Sequence, residues 1–242
     1  MVRTVFSVLI ALAISFVIIF LVSDQPLEAI KYLLIGPFTN KRSMGNVVES
    51  MIPLIFTGTG VCIMFSANQI NLAGEGAFHI GGLIASCVAI KLTATFVSPF
   101  MALLCAGLVG ALFTAIPAIM KITTTASEMV SSLMINYLAL YFGNYMLNNV
   151  IGDPKASAAS YKLADAAELP VLIQGTRVHL GFIIAIAVAI LGYFFLYRTK
   201  TGYELRLAGE NEEFARYSGI SIVKVIMISQ LLGGFVAGTA YV

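Results

Sequence analysis

Charge is scarce in this chain. Only 11% of its 242 residues are Asp, Glu, Lys or Arg, against 59% hydrophobic, and the mean hydropathy is +0.94. Soluble globular domains carry about a quarter charged residues, so that class is excluded. The formal net charge is +2, and no run of Lys and Arg is present to hold nucleic acid or anionic lipid. Cysteine is equally sparse. Cys62, Cys87 and Cys105 all fall in apolar stretches and none belongs to a C-x-x-C pair, so neither a disulfide framework nor a zinc site is expected. Histidine is limited to His79 and His179, and no G-x-S-x-G motif occurs. A hydrolase would need a nucleophile beside a base, which this inventory hardly supplies. A G-x-x-x-x-G-K-[ST] phosphate loop is also missing, so any ATP chemistry must come from a partner. Catalytic residues, metals and cofactors are not expected.

What the chain does have is long apolar runs. A spanning helix needs about 20 apolar residues, which limits this length to at most about eight spans. Seven candidates emerge: Val5 to Val22, Gly45 to Phe65, Ala77 to Ile90, Ser98 to Met120, Ser127 to Leu147, His179 to Tyr197, and one from Val225 that is still apolar at Val242. The first follows Arg3 and resembles a signal peptide, but it is too long for a signal core and no small-x-small site follows it. Leu27 to Ile35 is amphipathic, too short to cross, and expected at the interface. The fold class is therefore all-α, a polytopic membrane helix bundle forming a single domain over residues 1–242. Two connections are long: residues 148–178, read as an external loop, and residues 198–224, the most charged segment. With the N-terminus inside, each side of the membrane collects seven Lys and Arg residues, so the positive-inside rule does not choose an orientation.

Three segments carry polar residues in unusual places. In the first, Asn68-Gln69-Ile70-Asn71-Leu72-Ala73-Gly74-Glu75-Gly76-Ala77-Phe78-His79, several polar side chains and two glycines interrupt apolar sequence. Irregular backbone at membrane depth survives only where protein or a water-filled cavity satisfies it, and transporters use such breaks to meet substrate. There, Asn71, Glu75 and His79 would share one helix face at i, i+4 and i+8. The plain alternative is an aqueous loop. In the second segment, Thr124 or Thr125 can cap a helix with Glu128 in its first turn. Asn136 lies near its middle, and Tyr137, Tyr141, Asn144 and Asn148 form a polar-aromatic stripe. The stripe suits either helix packing or a solute path with rings that stack on a base or sugar. In the third, Asn211 can cap a short helix, with Glu212 and Glu213 in its first turn and Gly219 as its stop. A helix this short is unstable alone and must dock, either on its own membrane domain, in the headgroup layer, or on a partner.

Asn71-Leu72-Ala73-Gly74-Glu75-Gly76, Glu128 through Asn136-Tyr137, Thr201-Gly202-Tyr203-Glu204-Leu205-Arg206, Gly209-Glu210-Asn211 and Ala215-Arg216-Tyr217-Ser218-Gly219-Ile220 occur in that order. Together they resemble the permease family of ribose, branched-chain amino-acid and nucleoside ABC importers, and within it the nucleoside and simple-sugar subgroup. The subgroup motif has Gly before the small residue where this chain has Ala73 then Gly74. The resemblance implies that residues 198–224 are a cytoplasmic coupling loop, which puts the N-terminus in the cytoplasm of a bacterial inner-membrane protein. It implies a cytoplasmic ATP-binding subunit, a second permease subunit and an extracytoplasmic solute-binding protein or lipoprotein as partners. Family members run to roughly ten spans in two inverted halves, so the chain is expected to end within span seven. Glu210, Asn211, Glu213, Ala215, Arg216 and Gly219 are the coupling candidates. Asn71, Glu75, Asn136, Tyr137 and Tyr141 are the candidates for the solute path. An ion-gradient-driven secondary transporter, with Glu75 or Glu128 as its carboxylate, is the alternative.

Overall fold

Pro26 cannot continue a helix that needs its N–H, yet its fixed φ suits a first helical turn, and the chain uses it so. Helix α1 (Val2–Val22) ends ahead of Ser23-Asp24-Gln25, and α2 (Pro26–Thr39) begins on the proline. These helices belong to a computed structural model that describes residues 2–91, 98–124, 126–152, 169–173 and 175–240. The chain divides into two compact units, Met1–Glu49 with Ile173–Val178, and Ser50–Leu172 with His179–Val242. In the first unit α1 is apolar from Val5 to Val22 save Ser7 and Ser15, and α2 buries no side chain. Gly45 leaves room there for Thr176, whose Cβ would stand 2.7 Å from an added side chain.

The second unit takes most of α3 (Lys41–Ser66), then α4 (Gly74–Lys91), α5 (Ser98–Thr124), α6 (Glu128–Met146), α7 (Gly181–Arg198), α8 (Lys200–Glu210), α9 (Glu212–Tyr217) and α10 (Ile222–Gly238). No strand occurs among the described residues; Val171 and His179 form an isolated bridge. The chain is an all-α polytopic membrane bundle. Each of the seven apolar runs corresponds to one helix, and α1, α3, α5 and α7 are long and apolar enough to cross a membrane. Helices α4 and α10 are apolar but shorter, and α6 is long but carries polar residues. Of the expected external loop, residues 153–168 and Gln174 lie outside the described residues; its start is one π-helical turn, Leu147–Ile151.

The centre of this unit is a seam of small residues between α10 and α5. A side chain at Gly234 would collide with the Thr114 hydroxyl, and one at Gly238 would stand 2.6 Å from the Ala106 carbonyl oxygen. Gly233 meets Met64 of α3 at 2.6 Å in the same way. Small residues let backbones approach where lipid supplies no hydrophobic drive between helices, so dispersion and hydrogen bonds must bind them. Helix α6 is not capped by Thr124. Thr124 sits in the last turn of α5, its hydroxyl donating to the Met120 carbonyl at 2.6 Å, and Ser127 occupies the cap position of α6. Helix α5 runs past Lys121 to Thr124, with the Thr123 hydroxyl donating back to the Ile119 carbonyl at 2.8 Å, and Thr125 lies outside the described residues.

Candidate functional site

Helix α3 stops because Asn68 adopts a left-handed conformation, φ 54°. Its N–H donates to the Phe65 carbonyl at 2.9 Å and the Gln69 N–H to Met64 at 3.3 Å, the two bonds of a Schellman closure. The backbone then stays non-helical until Gly74. Gln69, Asn71 and Ala73 are nevertheless buried, so this is no aqueous loop. Side chains of α6 satisfy its backbone, while α5 and α10 bond its side chains. The Leu72 N–H donates to Ser132 Oγ at 3.1 Å, Asn136 Nδ2 donates to the Leu72 carbonyl at 2.6 Å, and Asn136 Oδ1 accepts the Gly76 N–H at 2.9 Å. Asn71, with no exposure at all, accepts the Ala73 N–H at 2.7 Å and donates to Gln230 Oε1 at 2.6 Å and to the Thr114 carbonyl at 3.2 Å.

The network continues to a charge pair. Gln230 Nε2 donates to Glu128 Oε1 at 2.7 Å, and Glu128 Oε2 lies 3.1 Å from Lys121 Nζ. Lys121 also donates to Gln69 Oε1, which returns the chain of bonds to the break. Burying a carboxylate is costly unless it is paired and hydrogen-bonded, and Glu128 is both. A helix face made of Glu128, Ser132 and Asn136, at i, i+4 and i+8, turns α6 toward the break.

The charged segment forms a second assembly. Thr199 caps α8, accepting the Gly202 N–H at 3.1 Å, while Arg206 Nε donates to the Leu196 carbonyl at 3.1 Å and its guanidinium covers the Tyr197 ring at 4.7 Å. Asn211 caps α9 through the Phe214 N–H at 2.9 Å. Gly219, φ 82°, ends it with a second Schellman closure, Ile220 N–H to Ala215 at 3.0 Å and Gly219 N–H to Arg216 at 3.1 Å. Leu205, Ala208 and Ala215 pack with Ile63, Ala67, Leu196 and Val225, so both short helices dock on the membrane bundle. Ala215 is the single buried residue of α9; Glu210, Asn211, Glu213, Phe214, Arg216, Tyr217 and Gly219 are exposed.

Residues 43–240 match the family described as the permease component of branched-chain amino acid transport systems. The chain belongs to that family. A guanosine ABC transporter permease protein of Bacillus subtilis is 31% identical over 209 residues, covering 85% of this chain and 60% of that protein. A glucose ABC transporter permease protein of Haloferax volcanii is 29% identical over 243 residues, 95% and 64% respectively. A nucleoside ABC transporter permease protein of Lactococcus lactis is 24% identical over 227 residues, 88% and 62%. The chain thus spans about three fifths of the length of these curated relatives. No solved structure matches it.

In this permease-family chain the five expected path residues separate into two groups. Asn71 and Asn136 are both buried inside the bundle, each bonded to the backbone of the break. Glu75, Tyr137 and Tyr141 are exposed on its outside. The expected single helix face of Asn71, Glu75 and His79 does not form, because Asn71 lies in the non-helical segment and α4 starts only at Gly74. His79 instead lines a cleft of about 230 Å³ with Gly82, Ser86, Gly143 and Asn144. Gln230, Lys121, Gln69, Thr114 and Ser132 were not foreseen as part of this site. Gln230 had a signal, being the one strongly polar side chain within an apolar run, where such residues mark function or packing.

Proposed function

We propose that the chain is a permease subunit of an ABC importer, supplying part of a solute path for nucleosides or simple sugars. The observation that carries this reading is α9. It is six residues long, held to the bundle through Ala215, and presents Phe214 and Tyr217 outward among Glu213 and Arg216. Exposed aromatics flanked by charges on a rigid, capped helix suit a groove on another protein. A cytoplasmic ATP-binding subunit is that partner. Residues 198–224 are then the coupling loop on the cytoplasmic side of a bacterial inner membrane, and the N-terminus is cytoplasmic too. ATP hydrolysis comes from that subunit, with a second permease subunit and an extracytoplasmic solute-binding protein or lipoprotein completing the transporter. The names of the relatives, guanosine, nucleoside and glucose permeases, support the solute class. Tyr137 and Tyr141 of α6 and Glu75 of α4 are the path residues that face outward; Asn71 and Asn136 shape the break.

Co-purification tests it. The chain expressed with its ATPase should retain that subunit, and Phe214→Glu should release it while leaving the chain folded in the membrane. Retention by Phe214→Glu, or labelling of residues 198–224 from outside the cell, would overturn the reading. Of the two carboxylates an ion-gradient mechanism could use, Glu128 already holds Lys121 and Gln230, so that reading would rest on Glu75, which is exposed.

A further inference from the structure

The Ala67–Ala73 break touches both assemblies described above. On one side, Gly209 of α8 lies so close that a side chain there would collide with the Ser66 carbonyl and stand 3.2 Å from the Asn68 nitrogen. On the other side, Gln69 and Asn71 are gripped by Lys121 of α5 and Gln230 of α10, and both grips end on Glu128 of α6. Leu72 and Gly76 are held directly by Ser132 and Asn136 of α6. A displacement of α8 therefore meets α3's last residue first. Three residues further on, at Gln69, and five on, at Asn71, it meets side chains bonded to α5 and α10, and at Leu72 a backbone bonded to α6, without crossing a helix. Close-packed interiors shift between discrete arrangements rather than deforming smoothly, and a non-helical segment is where backbone torsions can change at low cost.

We propose that the Ala67–Ala73 break is the joint that carries motion of α8 and α9 into α6, with Glu128 and Gln230 as its positioning residues. The proposal rests on the importer reading, since that reading makes α9 the moved part and α6 the path-lining part. Glu128 joins the two grips: with its carboxylate shared between Lys121 and Gln230, α5, α6 and α10 follow the break together. Gly209 is the contact through which α8 acts.

The test uses the assembled transporter in lipid nanodiscs. Hydrogen exchange is compared with and without ATP at the Leu72 and Gly76 amides, whose acceptors are Ser132 Oγ and Asn136 Oδ1. These amides should change protection together with α9; constant protection while α9 changes overturns the joint. Gln230→Leu and Glu128→Gln should keep the ATPase bound and hydrolysing, while solute carried per ATP falls about 5- to 150-fold, the span of ordinary coupling free energies. Transport per ATP at the wild-type level in both variants also overturns it. If a variant fails to assemble, the exchange measurement on the wild-type transporter decides. If the wild-type chain captures no ATPase, the importer reading falls and the joint with it; if it does and the amides do not respond, the joint alone falls.

Discussion

Lys121 and Glu128 lie seven positions apart in sequence, on different helices, and their contact is worth most for what it prevents. Glu128 keeps only 5% of its side chain exposed, Lys121 34%. Removing one partner of a buried pair costs about 3–5 kcal/mol because the other charge is stranded, and the open side of Lys121 lowers this to about 2 kcal/mol. Lys121→Met should therefore lower the thermal unfolding temperature in detergent. Adding Glu128→Gln should restore most of the loss, since an amide still accepts from Gln230 and leaves no charge behind. A double variant no more stable than Lys121→Met would show that the pair does not hold the bundle. Asn71 makes a sharper case, because it is fully buried and serves three partners at once. Asn71→Leu leaves the Ala73 N–H and Gln230 Oε1 unmet, at about 1–3 kcal/mol for each such group. It should unfold earlier than the wild-type protein, with Gln230→Leu added to it producing less than the sum of the two losses.

Among the elements, α9 shows how much a short helix depends on its ends. Its cap at Asn211, its acidic first turn and its glycine stop were all legible in the sequence, because capping uses residue types at fixed spacing. Gly219→Ala forces a Cβ into the left-handed region, at about 1–2 kcal/mol. It should weaken capture of the ATPase, whereas Gly219→Asn, tolerated in that region, should retain it; equal binding by both would mean that the stop is not needed. The close of α3 uses the same geometry at Asn68, and there the sequence was ambiguous. A polar stretch of Asn, Gln and Gly reads equally as a surface loop or as a buried break, since the difference lies in partners 40 to 160 residues away, such as Thr114 and Gln230. Helix α8 was not foreseen as a helix, because its charged face hides an apolar pair, Leu205 and Ala208, that only its docking surface explains. The α5–α10 seam was hidden for a related reason. Gly233 and Gly234 look like helix breakers until another backbone fills the space, and Gly234→Leu should cost more than the about 1–3 kcal/mol of ordinary overpacking, read as loss of folded protein after detergent extraction.

For the molecule as a whole, the decisive contrast lies between two outward faces. Near its middle helix α7 exposes Ile190 at 63% and Leu191 at 65%, its tyrosines Tyr193 and Tyr197 lying toward the Arg198 end; α6 exposes Tyr137 at 62% near its middle and Tyr141 at 75%. Exposure is alike, but chemistry is not. Ile and Leu are content in lipid, whereas a tyrosine hydroxyl in hydrocarbon loses its hydrogen bonds, which is why tyrosines gather at interfaces and around water. Tyr137 stands nine residues into a 19-residue helix, about 14 Å along its axis and so far from either end. The importer reading gives that hydroxyl a solute path to face. In a chain whose free cysteines Cys62, Cys87 and Cys105 are replaced, Tyr137→Cys and Tyr141→Cys should react with a membrane-impermeant thiol reagent in the assembled transporter, and excess solute should slow the reaction. Leu191→Cys should stay unlabelled, because lipid excludes the reagent. Labelling of all three at one rate, with no protection by nucleoside or sugar, would place the α6 tyrosines outside the path and leave the buried break as the polar feature in search of a role.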